Sequence, residues 1–192
     1  MQRPIGILMA AGRGTRFGGG KLVHPVPPEG LPMAIVAYRH LKSAVGPVIV
    51  VVRPDDDAVH AAFAAEGVAP VVAQRAAEGM GLSLAAAIAA SPPCPGWIVA
   101  LGDMPSIQAS TIVRIADALA AGASIAVPLH DGRRGHPVGF AARHRDALLA
   151  LDGDTGARSV LAAHRAEVVE VPVDDAGIHA DIDTREEAAR LR

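Results

Sequence analysis

Short apolar runs rich in β-branched residues recur along this chain with alanine-rich stretches between them, and that alternation restricts the fold more than any other feature. Residues 4–10, 47–52, 68–73, 97–101 and 124–127 are near-continuous apolar runs. A run without polar alternation suits a strand buried on both faces, as in a parallel sheet covered by helices. The segments between them, 31–45, 55–65, 81–90 and 106–121, are alanine-rich or helically spaced, as Ile112, Ile115 and Leu119 are. This order predicts an α/β fold with a doubly wound, mainly parallel sheet. After residue 124 the rhythm changes. A strand pair turning at Asp131-Gly132, helices near 142–151 and 155–165, a strand over 167–173 and a last helix predict a small antiparallel extension. Thr184-Arg185-Glu186-Glu187 has capping-box spacing and is expected to start that last helix. With 192 residues, 51% of them hydrophobic, and no repeat or clear linker, residues 1–192 are expected to form one domain.

The first apolar run leads directly into Met9-Ala10-Ala11-Gly12-Arg13-Gly14-Thr15-Arg16-Phe17-Gly18-Gly19-Gly20-Lys21. Glycines without a Cβ let backbone N–H groups turn toward an anion and approach it closely. Arg13, Arg16 and Lys21 add three cations, and the first acid in the chain is Glu29, so no nearby charge in the sequence cancels their field. A Walker loop is excluded, because Thr15 stands where its first glycine belongs and Leu22 replaces its metal-binding hydroxyl. A dinucleotide fingerprint fails as well, since Phe17 occupies the position of its third glycine. A loop that holds a triphosphate is the expectation that remains.

In open α/β sheets, ligands bind outside the carboxyl ends of the strands. Gly102-Asp103-Met104-Pro105 follows the run at 97–101, so Asp103 is expected to face the same crevice as the glycine-rich loop. Magnesium takes oxygen ligands, keeps several waters and needs only one or two carboxylates besides substrate phosphates. Asp103 is one candidate. Asp181 and Asp183 in Asp181-Ile182-Asp183-Thr184 are others, one to hold metal and the other to cap or face solvent. Glu78-Gly79-Met80-Gly81-Leu82-Ser83-Leu84 opens a predicted helix, where Ser83 either bonds a nucleotide or serves as an ordinary helix-start group. Arg133-Arg134-Gly135-His136-Pro137 is either a binding site for an acidic acceptor or a solvated turn.

Composition excludes other classes. Aromatic residues make up 3% and the net charge is −2, so neither a base-stacking platform nor a broad basic face for polymeric nucleic acid is expected. One cysteine, Cys94, rules out an internal disulfide and a thiolate metal cluster, which suits a reducing, cytoplasmic setting. No segment approaches the ~18 apolar residues of a membrane span.

Together, residues 9–18 with Lys21, 78–84, Gly102-Asp103-Met104-Pro105, Gly135-His136-Pro137-Val138, Gly153-Asp154-Thr155-Gly156-Ala157-Arg158 and Asp181-Ile182-Asp183-Thr184 resemble the motifs of the MobA-like nucleotidyltransferases, in the family's order and over nearly the whole chain. The resemblance is strongest to the molybdenum cofactor cytidylyltransferase branch, because Ala10-Ala11-Gly12 stands where the guanylyl branch carries Ala-Gly-Gly. It implies a Rossmann-like nucleotidyltransferase fold and transfer of a nucleoside monophosphate, CMP from CTP, to a molybdopterin-type phosphorylated acceptor. It further implies that Ala10, Ala11, Gly12 and Ser83 approach the base, with Arg13, Gly14 and Gly79 completing the nucleotide site. Arg16 and Lys21 would hold the triphosphate, and Asp103 with Asp183 would hold Mg2+. Arg134, His136, Asp154 and Arg158 would meet the acceptor. The resemblance leaves room for a sugar- or polyol-phosphate nucleotidyltransferase, or for a module that delivers cofactor to a molybdoenzyme. One departure is the stretch from Leu22 to Pro32, which is longer and richer in proline than the family's usual segment after the lysine.

Overall fold

The computed structural model describes residues 3–191. In chain order the elements are β1 (Ile5–Ala10), β2 (Pro25–Val26), β3 (Leu31–Pro32), α1 (Met33–Val45), β4 (Val48–Val52), α2 (Asp57–Ala65), β5 (Val71–Val72), α3 (Met80–Ala90), β6 (Gly96–Leu101), α4 (Ala109–Ala120), β7 (Ile125–His130), β8 (Arg133–Arg134), β9 (Val138–Ala141), α5 (Arg145–Leu149), α6 (Arg158–Ala163), β10 (Val168–Pro172) and α7 (Arg185–Ala189). The main sheet runs β10-β7-β9-β6-β1-β4-β5, with β8 paired to β7. β9 lies antiparallel between β6 and β7, β8 is antiparallel to β7, and the other pairings are parallel. The expected mainly parallel α/β sheet with an antiparallel extension is therefore the observed architecture.

The apolar strands are explained by the two helical layers. Leu8 and Ala10 of β1 join a core with Tyr38 and Leu41 of α1, Phe63 of α2 and Ile112 and Ile115 of α4. Ile5, Ile7 and Met9 point the other way, toward Leu84 and Ile88 of α3, Leu148 of α5 and Val160 of α6. Successive strand side chains alternate between faces, and here both faces are covered. A third, smaller cluster joins Phe17 of the first loop, Val26 of β2, Met33 of α1, and Ile182 and Ala188 near the C-terminus. This cluster holds the C-terminal segment against the glycine-rich loop.

Boundaries differ from the sequence expectation where local hydrogen bonding intervenes. The Val68 N–H closes the end of α2 by donating to the Phe63 carbonyl, so the edge strand shortens to Val71–Val72. The proline-rich stretch expected as loop forms a two-residue antiparallel pair, β2 with β3, which moves the start of α1 to Met33. The turn between β7 and β8 is built on Asp131 and Gly132, both at positive φ. Two consecutive left-handed residues are what a tight hairpin of this kind requires. Thr184 and Glu187 form the expected capping box at the start of α7.

The chain runs from β1 outward through β4 to β5 and then returns to place β6 on the other side of β1. The strand order thus reverses between β1 and β6, and their carboxyl ends open onto one crevice. One wall of that crevice is the N-terminal turn of α3, pressed against the loop before α6. The Gly81 N–H donates to the Gly153 carbonyl at 2.9 Å. A Cβ on Gly81 would lie 2.6 Å from the Asp152 carbonyl oxygen, a backbone atom that cannot swing aside. Gly81→Ala is therefore expected to cost about 1–3 kcal/mol of stability, as overpacking does. Urea unfolding should show a lower midpoint with an unchanged slope, and an unchanged midpoint would contradict the close approach.

Candidate active site

The first loop leaves β1 at the reversal point and turns back within ten residues. Gly14 is left-handed (φ 57°), Thr15–Phe17 make one helical turn, and Gly18, Gly19 and Gly20 all have positive φ. That geometry returns the chain to Lys21 directly beside Gly14, where an added Cβ would lie 2.8 Å from the lysine Cβ. The side chain at position 14 must be absent for Lys21 to pack there.

Lys21 is 8% exposed, and its Nζ donates to Asp103 Oδ2 at 2.7 Å and to Asp183 Oδ1 at 2.8 Å. Asp103 sits just past β6. Asp183 is brought in because Ile182 is buried and its N–H donates to the Asp103 carbonyl at 3.0 Å. Glu187 fixes the turn by accepting from the N–H groups of Asp183 and Thr184 at 2.7 and 2.8 Å. Arg16 Nη1 meets the second oxygen of Asp183 at 2.6 Å. Burial opposes the lysine charge, but the hydrogen bonds and charges of the two carboxylates prevail and hold the Lys21 pKa above its ordinary value. The hydrogen bond from Lys21 likewise keeps the Asp183 carboxyl below the usual aspartate range.

Two clefts of about 330 Å³ each open beside this cluster. The first is lined by Ala11, Gly12, Arg13, Gly14 and Lys21 from the loop, Ser83 of α3, and Asp103. The second has an apolar floor that includes Val99, Val127 and Phe140, with Arg134, His136, Asp154 and Arg158 at its margin. Met9, Met80, Leu101 and Asp154 line both. The two groups of residues expected for nucleotide and acceptor thus fall on neighbouring clefts with a shared wall.

Other expected site residues stand elsewhere. Ala10 is buried in β1 with its methyl in the core, so only its backbone is near the loop. Gly79 lines neither cleft, and an added Cβ there would fall on the Gly153 carbonyl group. Arg16 lies outside both linings with its side chain 78% exposed, and Asp183 meets the site through Lys21 and Arg16. Asp181, the other acid considered, is exposed. Arg134 pairs with Glu170 at 2.7 Å. Sequence reasoning did not single out Met9, Met80 or Leu101, whose apolar character reads as core. The flanking Gly79 and Gly81 were the signal available for Met80.

His136 faces the second cleft with its Nδ1 buried and, among the described residues, without a hydrogen-bond partner. Burial, aided by Arg158, pushes its pKa below the ordinary histidine value against the pull of Asp103 and Asp181. The imidazole is therefore neutral at pH 7. Among the described residues no group of three or more histidine, cysteine, aspartate or glutamate side chains could hold a metal ion. The donor set available is two hard carboxylates that already converge on one cation. That suits an oxygen-seeking divalent ion whose remaining ligands are water and phosphate.

The Lys21–Asp183 pair has a defined pH window. A carboxyl with a depressed folded pKa stabilises above its unfolded value, about 3.9, and loses that contribution as pH falls through the folded value. A lysine with a raised pKa stabilises below about 10.4 and loses that contribution as pH rises through its folded value. The stability difference between wild type and Asp183→Asn should be flat from about pH 5 to about pH 9 and shrink below about pH 4. Chemical unfolding across pH measures it, and a difference that persists undiminished in acid would contradict the pairing.

Known proteins resemble this chain in sequence and in fold. The MobA-like NTP transferase domain family matches residues 6–168. A molybdenum cofactor guanylyltransferase of Cupriavidus metallidurans is 35% identical over 196 residues, covering 95% of this chain and 91% of that protein. A protein of Paenarthrobacter nicotinovorans named nicotine blue oxidoreductase is 30% identical, covering 97% of this chain and 95% of its own. Among solved structures, Rv0371c of Mycobacterium tuberculosis H37Rv superposes with a TM-score of 0.86 at 29% identity, over 99% of this chain and 97% of that one. Its complex with manganese superposes at 0.80, over 99% and 98%. With a family match over most of its length, and with the glycine-rich loop and the acid after β6 opening on one crevice, the chain belongs to the MobA-like NTP transferase domain family.

Proposed function

We propose that the protein transfers CMP from CTP to the phosphate of a molybdopterin acceptor and releases pyrophosphate, with Mg2+ as its metal. The observation that carries this reading is the convergence of Lys21, Asp103 and Asp183 where the glycine-rich loop and β6 end, beside two clefts that share a wall. The pterin acceptor is supported by the molybdenum cofactor relatives, and by a second cleft that combines an apolar floor with Arg158 and neutral His136 at its margin. Cytidine is supported by Ala11, which lines the first cleft and puts a methyl group where the guanylyl branch has glycine. The guanylyl names of the relatives make GTP the competing nucleotide. The manganese complex of Rv0371c supports a divalent ion.

The reaction needs no protein nucleophile. An oxygen of the acceptor phosphate attacks the α-phosphorus in line, and pyrophosphate leaves with the electron pair of the broken P–O bond. Repulsion between two anions is the obstacle, so positioning and charge stabilisation carry the catalysis. The loop backbone and Arg13 line the nucleotide's cleft, while Lys21 and Arg16 meet charge that develops on the departing phosphates. Asp103 and Asp183 would hold Mg2+, which supplies further neutralisation of the phosphate oxygens.

The test is pyrophosphate release from each of the four nucleoside triphosphates with Mg2+ and molybdopterin. CTP should be used fastest. Faster turnover of GTP would overturn the base assignment alone, and no release from any pair would overturn the function. Arg16→Ala should lower turnover by on the order of 10²–10³, the usual loss for one electrostatic donor. Asp103→Asn, nearly isosteric, should abolish magnesium-dependent transfer while thermal unfolding shows an intact fold. Undiminished activity in either variant would remove that residue from its role.

A further inference from the structure

Met80 is the first residue of α3, and the residue is 48% exposed although it is large and apolar. An isolated exposed methionine needs no explanation. This one lines both clefts. The three residues that share this property divide by position. Met9 and Leu101 are register partners on β1 and β6 and form the floor at the strand-order reversal. Asp154 is a carboxylate on the loop before α6, poorly suited to stand between two phosphorylated ligands. Met80 alone is an apolar residue that lines both clefts from a helix and not from the sheet. Its backbone is held by the contact of Gly81 with Gly153, and a Cβ on Gly156 would lie 3.4 Å from its sulfur.

We infer that Met80 is a positioning residue, an apolar divider that keeps nucleotide and acceptor in separate clefts and excludes water from the phosphorus between them. The inference rests on the transfer reaction proposed above. A thioether is flexible and polarisable, so one side chain can pack against a nucleoside on one side and a flat acceptor ring on the other. Truncation would join the two clefts above the Met9–Leu101 floor. Water could then take the place of the acceptor oxygen: its oxygen bonds to the α-phosphorus, pyrophosphate leaves, and the products are the nucleoside monophosphate, pyrophosphate and a proton lost to solvent. Productive alignment of the acceptor would fall as the two ligands lose their fixed separation.

The experiment measures partition. α-Labelled CTP is incubated with Mg2+ and molybdopterin, and free CMP is compared with the pterin dinucleotide for wild type, Met80→Ala, Met80→Gln and Met80→Leu. Met80→Ala should raise the ratio of hydrolysis to transfer by on the order of 10-fold and raise KM for both substrates. Met80→Gln, of similar length but polar, should behave in the same direction. Met80→Leu should restore most of the wild-type partition. Thermal unfolding should be nearly the same for all four, because the residue is half exposed. An unchanged partition and unchanged KM values in both Met80→Ala and Met80→Gln overturn the divider and leave the transfer reaction standing. A wild-type protein that makes neither product overturns both.

Discussion

One buried ammonium group organises the functional edge of this molecule. Lys21 bonds at once to Asp103, which is 82 residues away in sequence, and to Asp183, which is 162 residues away. Without that nitrogen, two adjacent carboxylates would repel each other, and without the carboxylates a nearly buried lysine would carry an uncompensated charge. The contact therefore fixes three segments together: the loop after β1, the end of β6 and the turn before α7. The small cluster of Phe17, Val26, Met33, Ile182 and Ala188 adds apolar burial to two of these segments, the loop after β1 and the turn before α7.

The chemistry follows from where the sheet reverses. Because β1 and β6 are neighbours with no strand between them, their carboxyl ends deliver a cationic loop and an acid to one place. The antiparallel extension contributes the second half of the crevice. Inserting β9 between β6 and β7 carries His136 to its margin, and the glycine contacts between α3 and residues 152–154 bring Asp154 and Arg158 to the same cleft. Two ligands on adjacent clefts over a common floor is the arrangement that in-line transfer between a triphosphate and a phosphorylated acceptor requires.

Much of this was legible in the sequence, for specific physical reasons. Strands buried on both faces leave continuous apolar runs, which is why β1, β4 and β6 could be read directly. The strand β5 was read too long because its first residues close α2 by a backbone bond, and such bonds leave no pattern in composition. The pair β2 with β3 was missed since prolines and glycines signal turns whether or not two residues also pair. At the site, charged and glycine residues stood out by type, and Lys21 and Asp103 could be expected to share a crevice. That Asp183 joins Asp103 was expected only through the family resemblance, because the long-range cluster around Ile182 that brings it there leaves no local pattern. Met80 was marked only by its flanking glycines, because an apolar side chain that faces a cleft looks the same in sequence as one that faces the core.

In the proposed reaction, the loop of residues 11–21 receives a polyanion whose metal ion is held by Asp103 and Asp183. The most direct test is a crystal structure with the non-hydrolysable analogue α,β-methylene-CTP and Mn2+, with the metal located by its anomalous scattering. One manganese peak should lie in contact with Asp103 and Asp183, with the phosphate tail along the glycine-rich loop. A peak away from both carboxylates, or a triphosphate bound outside that loop, would contradict that placement.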